Sequence, residues 1–274
     1  MSDNLAGLNK LREIIFSYRS VLVAFSGGCD SALVAKVAHD VLGPRMKAVT
    51  AKSPSLPESE ILEVESFCNQ YGINHQWIET HEMENPNYAA NPVNRCYFCK
   101  TELYEHLAGF INSDFENIAN GVNRDDLGDW RPGLQAAKEH GVKSPLVEAG
   151  LNKIQIREIS KELGLSTWNK PAAACLSSRL PYGEAVTNEK LRQIDQGEKI
   201  LKSYGFRVVR LRHFGKFAKV ELGAEELPRL LSNPSLQTEI NSQIKKLGFE
   251  FLEWDPEGYK SGKLNPPHLM SGVL

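Results

Sequence analysis

Apolar residues along the N-terminal third alternate between two spacings. Leu5, Leu8, Leu11, Ile14, Ile15 and Tyr18 recur at three- and four-residue intervals, which predicts an amphipathic helix over residues 4–18. The short apolar run Val21–Phe25 follows and predicts a strand buried on both faces. From Asp30 to Leu42 the helical spacing returns and stops at Gly43-Pro44. The same reading gives strands at Met46–Ala51, Asn74–Ile78 and Ile118–Val122, with a helix at Glu58–Tyr71. Strands alternating with helices of this length imply parallel βαβ units, hence an α/β fold with a doubly wound parallel sheet.

The pattern changes near residues 171–181. A helix over Thr187–Tyr204 precedes a predicted hairpin, Val208–His213 and Phe217–Leu222 around Gly215, then two helical stretches and a strand at Phe249–Trp254. This order predicts a second, smaller α+β domain. The expected division is 1–180 for the nucleotide-binding domain, 181–255 for the small substrate-binding domain, and 256–274 for a flexible tail rich in glycine and proline.

Between the first strand and the second helix stands Ser26-Gly27-Gly28-Cys29-Asp30-Ser31. Glycines there let several backbone N–H groups converge on one anion, and the helix N-terminus adds the positive end of its dipole. Ser26 and Ser31 bring hydroxyl donors, and Asp30 can hold Mg2+ beside the phosphates of ATP. The lysine of a Walker loop is absent. The loop resembles the PP-loop of ATP pyrophosphatases, in which pyrophosphate leaves and AMP goes to the acceptor. Past the predicted fourth strand, Gly121, Asn123 and Arg131 are candidates for ATP contacts. Asp125 and Asp126 are candidate magnesium ligands.

Composition narrows the class. The chain has 274 residues, of which 41% are hydrophobic and 24% charged, with a net charge of −2. That is globular composition without the basic excess of a general nucleic-acid binder. There is neither an apolar run of transmembrane length nor a secretory signal pattern, so the expected location is the cytoplasm, without a membrane partner. Five cysteines are too few for a disulfide scaffold. Cys96-x-x-Cys99 points to metal or redox chemistry, while the simpler possibility of two buried small side chains stays open. Cys175 adds a third thiol in the small-residue loop Pro171–Arg179. Structural zinc wants four ligands, and no fourth is evident.

Two blocks carry a more specific resemblance. Asp129-Trp-Arg-Pro-Gly through Ser144-Pro-Leu-Val-Glu-Ala-Gly, and Lys170-Pro-Ala-Ala-Ala-Cys-Leu-Ser-Ser-Arg-Leu-Pro-Tyr-Gly183, resemble the LarE family, and with the cradle the similarity covers most of the chain. The resemblance implies an ATP-dependent sulfur transferase. Such an enzyme adenylylates the carboxylates of pyridinium-3,5-biscarboxylic acid mononucleotide and converts them to thiocarboxylates for the nickel-pincer nucleotide cofactor. It implies Asp30 and Cys175 as catalytic residues, and Ser178, Arg179, Arg210 and Arg212 as substrate-binding residues. Arg210 and Arg212 lie two apart on a predicted strand and so share a face. One family branch sacrifices the sulfur of the cysteine matching Cys175. The Cys-x-x-Cys pair places this chain with the branch whose 4Fe-4S cluster is held by Cys96, Cys99 and Cys175. Implied partners are the small nucleotide substrate, a sulfur source, other cofactor-assembly proteins at hand-over, and further copies of the chain in a homo-oligomer. A tRNA thiolase, which also pairs a PP-loop with three cysteines, is the competing class, and a non-catalytic nucleotide sensor is another.

Overall fold

The computed structural model describes residues 3–111, 114–128, 132–172, 174–260 and 262–265. Helix α1 (Asp3–Ser17) leads into strand β1 (Val21–Ala24), followed by α2 (Cys29–Leu42), β2 (Met46–Lys52), α3 (Glu58–Tyr71) and β3 (His75–Glu79). The short α4 (Pro86–Ala89) and α5 (Arg95–Ala108) precede β4 (Asn117–Ala119), α6 (Pro132–Glu139), α7 (Pro145–Ala149) and α8 (Lys153–Glu162).

The four strands form one parallel sheet in the order β3-β2-β1-β4. Because β1 is central, its residues divide between two cores. Val21 and Val23 pack with α1, α2, α3 and α8 residues such as Leu11, Leu33, Phe67 and Ile156. Leu22 faces the other way, towards Leu103 and Leu107 of α5 and Ala136 of α6. Burial on both faces explains the unbroken apolar run and gives the doubly wound α/β fold read from the alternation.

Strand β4 ends two residues after it begins, short of the 118–122 span predicted. The reason is local. Asn120 Oδ1 accepts hydrogen bonds from the Val122 N–H (3.0 Å) and the Ser144 hydroxyl (3.0 Å), turning the chain out of the sheet.

The second sheet contains β5 (Val209–Phe214), β6 (Phe217–Leu222) and β7 (Phe251–Trp254), with β5 antiparallel and β7 parallel to β6. Helices α9 (Asn188–Ser203), α10 (Leu227–Leu231) and α11 (Pro234–Lys245) complete that unit. Its core joins Leu201, Leu211, Val220 and Ile244 to Tyr88, Leu176 and Leu180 from the N-terminal side of residue 181. The segment read as a tail from sequence docks where it is described. Tyr259 N–H donates to Leu222 O (2.8 Å), Lys263 pairs with Asp255 (2.5 Å), and the Tyr182 hydroxyl donates to Asn265 (3.2 Å). Among the described residues, no helix is long and apolar enough to cross a membrane.

Candidate active site

The cradle lies at the carboxyl end of β1, where an open parallel sheet presents ligands. Gly27 has φ +71°, and a Cβ there would come 2.7 Å from Val64 Cγ2, so glycine is required for both conformation and space. Gly28 caps α2 without a side-chain hydrogen bond, which leaves the first-turn N–H groups free of a side-chain acceptor. Ser31 Oγ accepts from Ser26 N–H (3.2 Å) and lies 3.0 Å from Ser26 Oγ. Gly121 packs on the same turn: a Cβ on it would be 2.7 Å from Ser31 N.

Asp30 points one carboxylate oxygen at Lys153 Nζ (2.5 Å), whereas its other oxygen is buried without a partner. That orphaned acceptor, beside hydroxyls and open N–H groups, suits a magnesium ion held with the phosphates. Asp125 and Asp126 are engaged differently. Asp125 Oδ2 accepts from Lys153 N–H (2.9 Å), and Asp126 Oδ2 from Asn123 N–H (3.0 Å). Asn123, buried, accepts from Asp125 N–H through Oδ1 (2.9 Å). Arg131 lies outside the described residues.

Lys153 and Lys170 were not anticipated. Lys153 supplies a cation to the cradle from the start of α8, 123 residues beyond Asp30 in sequence. Lys170 donates to Gly27 O (3.1 Å) and pairs with Glu60 and Glu63, both at 2.7 Å, tying the cradle to the segment that leads to Cys175. Lys170 sat inside the family-like block, so its position was visible although its partner was not.

Five arginines grip the carbonyls of that segment. Arg157 donates to Trp168 O (3.0 Å) and Lys170 O (2.9 Å), and Arg210 to Ala172 O (2.6 Å). Arg179 donates to Ala174 O (2.6 Å) and Cys175 O (3.0 Å), Arg95 to Ser177 O (2.9 Å), and Arg212 to Ser178 O (3.0 Å). Of the predicted substrate residues, Arg179 is therefore spent internally: it is 2% exposed and forms a two-point pair with Glu198 at 2.8 and 2.9 Å.

Ser178, Arg210 and Arg212 instead line a cavity of ≈ 130 Å³, together with Arg95, Tyr259 and Lys263. Arg212 pairs with Glu221 (2.7 Å), while its Nε is buried without a partner. Arg210 stacks on the Tyr259 ring at 4.7 Å. Around the cavity and its wall stand the guanidiniums of Arg95, Arg179, Arg210 and Arg212 against the carboxylates of Glu198 and Glu221, a surplus of two positive charges. Burial, with Arg179 beside it, lowers the pKa of Arg210. A larger hollow of ≈ 330 Å³ between α3 and α9 contains none of the predicted site residues. The smaller cavity gathers three of the predicted substrate residues, Ser178, Arg210 and Arg212.

The three cysteines of interest come into one neighbourhood. Cys96 and Cys99 lie one turn apart at the start of α5, and Cys175 precedes a short 3-10 turn, with its Sγ 3.9 Å from Arg95 Nη2. Burial pushes the Cys99 thiol up to about 12, with smaller contributions from Glu82, Cys175 and Cys96. Cys96 has accessible surface but stands in an atom-dense crevice, and desolvation, then the Cys175 charge, raise its pKa. Three soft thiols that sense one another's charge fit an iron-sulfur cluster in donor type. No group of three or more His, Cys, Asp or Glu among the described residues is gathered as a ready metal site. Cys29 and Cys68 are buried elsewhere.

A lysine-free glycine cradle at the edge of a parallel sheet, beside a separate cationic cavity, defines an ATP-using α/β enzyme of the PP-loop class. The NAD synthase family model matches residues 8–91, which include the cradle. The pyridinium-3,5-bisthiocarboxylic acid mononucleotide synthase of Lactiplantibacillus plantarum is 35% identical over 247 residues, 89% of this chain and 88% of that protein. An uncharacterized protein of Synechocystis sp. is 46% identical over 94% of this chain and 96% of its own length. Another uncharacterized protein, from Methanocaldococcus jannaschii, is 27% identical over 92% of this chain and 95% of its own length. The chain belongs to the LarE family, the pyridinium-3,5-bisthiocarboxylic acid mononucleotide synthases.

Proposed function

We propose that this enzyme adenylylates the carboxylates of pyridinium-3,5-biscarboxylic acid mononucleotide with ATP and converts them to thiocarboxylates for the nickel-pincer nucleotide cofactor. The observation that supports this reading is the arginine-rich cavity whose lining residue Arg95 lies 3.9 Å from the Cys175 sulfur, so that an anion bound there would meet the loop that carries the thiol.

In this reading, Ser26, Gly27, Gly28 and Ser31 bind the β- and γ-phosphates of ATP, with Gly121 and Asn123 shaping the facing wall and Arg131 as a further ATP-binding residue. Asp30 holds magnesium, and Asp125 keeps α8 in register so that Lys153 faces the cradle. A carboxylate oxygen attacks the α-phosphorus, pyrophosphate leaves into the cradle, and the acid becomes a mixed anhydride with AMP. Hydrosulfide-level sulfur then attacks the acyl carbon and AMP departs, because a phosphate ester is a far better leaving group than an oxide. Arg210, Arg212 and Ser178 hold the substrate phosphate, for which paired guanidiniums give two-point recognition. Arg179 fixes the loop carbonyls on either side of Cys175. Cys96, Cys99 and Cys175 would hold a 4Fe-4S cluster, which when bound supplies an iron with an open position for external sulfide. The enzyme works in the cytoplasm as a homo-oligomer and passes its product to the next cofactor-assembly protein.

Pyrophosphate release measured with and without the biscarboxylate mononucleotide tests the reaction. It should depend on that substrate and vanish in Asp30→Ala with the fold intact. Unchanged release in the variant removes the cradle from the mechanism. Anaerobically purified protein should be brown, and a colourless protein containing zinc would remove the cluster. Intact mass after several turnovers then locates the sulfur: an unchanged chain points to external sulfur, whereas loss of one sulfur from the chain makes Cys175 the donor.

A further inference from the structure

Two of the cavity's arginines lack a carboxylate partner among the described residues. One is Arg210, whose donors go to Val209 O and Ala172 O. The other is Arg95, which is 4% exposed and was not singled out by the sequence. Its donors reach only neutral or thiol groups: Asn91 Oδ1, Ser177 O at 2.9 Å and Cys175 Sγ at 3.9 Å. Its charge is therefore shared between the neighbouring Cys175 and Cys96 sulfurs and whatever anion stands beside them in the cavity. Arg95 lines the cavity at the end where Cys175 stands, while Arg210 and Arg212 project from β5.

The chemistry fixes which anion goes to which end. Sulfur is transferred to a carboxyl carbon, so the ring carboxylate must lie at the Cys175 end, and the phosphate must then lie at the β5 end. Arg212 Nε, buried and unpartnered, is a spare donor at the phosphate end. The two cavity arginines without a carboxylate partner among the described residues are thus available to two anionic groups of one ligand. We infer that Arg95 is a specificity-determining residue that binds the ring carboxylate of the mononucleotide beside Cys175, opposite the phosphate held by Arg210 and Arg212. The inference rests on the substrate reading above and adds the residue that recognises an acid in place of an amide.

Neighbouring groups support the assignment. Arg179 is neutralised by Glu198, and Lys263 is paired with Asp255 at 2.5 Å and Glu257 at 3.4 Å. Neither has charge to spare for a second anion. The guanidinium of Arg95 is also pinned by Asn91 and Ser177 O, so it is oriented before ligand enters, and little side-chain entropy is lost on binding.

The test compares two probes that differ in one group: nicotinic acid mononucleotide, with a ring carboxylate, and nicotinamide mononucleotide, with an amide. Calorimetric titration of the full chain without ATP should show the acid binding about tenfold or more tighter than the amide, the scale of one charge-assisted hydrogen bond. In Arg95→Gln the two should bind alike, with the amide's affinity near that of the unaltered enzyme. Arg95→Lys should keep part of the preference. Arg212→Gln should weaken both probes together and leave their ratio unchanged. Equal binding of both probes to the unaltered enzyme would overturn the role of Arg95 without touching the substrate reading, and this arm needs no variant that must fold. Retained preference in folded Arg95→Gln would overturn it as well. Failure of both probes to bind would overturn the substrate reading and this inference with it.

Discussion

Replacing Arg179 with methionine removes one member of a fully desolvated pair. The Arg179 and Glu198 side chains are only 3% and 6% exposed, and Nε and Nη2 meet the two carboxylate oxygens at 2.8 and 2.9 Å. The methionine fills part of the volume but leaves the Glu198 carboxylate buried without its cation, which costs about 3–5 kcal/mol. For a chain of this length each kcal/mol lowers Tm by about 2–4 °C, so the expected fall is about 6–20 °C. Removing both charges in Arg179→Met/Glu198→Leu should restore most of that stability, because a packed apolar pair is often no worse than a buried ion pair. About 1 kcal/mol should stay missing, since Glu198 Oε1 also accepts from Leu211 N–H at 3.1 Å. Product formation should not return with the stability. In both variants Ala174 O loses its Arg179 donor and Cys175 O is left with Ser178 alone, so the sulfur loop loses its tie to α9. Calorimetric melting with thiocarboxylate formation on the same samples reads both quantities. A single variant that melts within about 2 °C of the unaltered enzyme, or a double variant that recovers activity along with stability, would refute the reasoning.

Lys153→Met should weaken ATP binding about ten- to a hundred-fold, the worth of one charge-assisted contact to a phosphate, and Lys153→Arg should retain part of it; unchanged ATP affinity would leave Lys153 as a partner of Asp30 alone. Buried His213 is neutral: its Nδ1 accepts from Gly215 N–H (3.2 Å), its other nitrogen faces Gln193 Oε1 (2.9 Å), and burial, then Lys190, lower its pKa below 6.5. The unfolded chain therefore takes up that proton first as pH falls. The contribution is present above the unfolded value of 6.5 and is lost as pH falls through that value towards the folded one, so Tm should decline as pH falls through 6.5. The decline should be shallower in His213→Gln, and an identical slope in the variant would remove His213 from the pH response.

What the sequence revealed was whatever depends on neighbours within a turn or a pleat. The apolar run Val21–Phe25, glycines at 27 and 28, and helical spacing after Asp30 are local, and they led to a strand, a turn and a helix without reference to the rest of the chain. Alternation along Val209–Phe214 likewise put Arg210 and Arg212 on one face, opposite Leu211 and His213. The residues not found are those whose meaning lies in a distant partner. Lys153 meets Asp30 across 123 positions, and Lys170 meets Gly27 across 143. Nothing in the periodicity of either region marks such a meeting. Arg95 had one available signal, its place immediately before Cys96, but thiol spacing alone does not say that the adjacent side chain turns towards Cys175. Gly and Pro residues after Pro256 suggested a tail because composition reports backbone freedom. It does not report docking, and Tyr259 and Lys263 line the cavity through contacts with Leu222 at the end of β6 and Asp255 just after β7.

Arginine, and not lysine, makes the sulfur loop and the cavity compatible. A net charge of −2 for the whole chain conceals a concentration of guanidiniums around residues 168–178. Backbone carbonyls cannot be moved away from the site as side chains can, so every unsatisfied one would repel an incoming phosphate or carboxylate. Guanidinium groups satisfy them while bringing positive charge, and each has five donors in a fixed fork. Arg212 uses one on Ser178 O and one on Glu221 and still keeps Nε free. An ammonium committed to a carbonyl and a carboxylate would have one donor left, on a rotor without a fixed direction. The same side chain can thus hold the loop that carries Cys175 and receive an anion, without letting go of the first to reach the second.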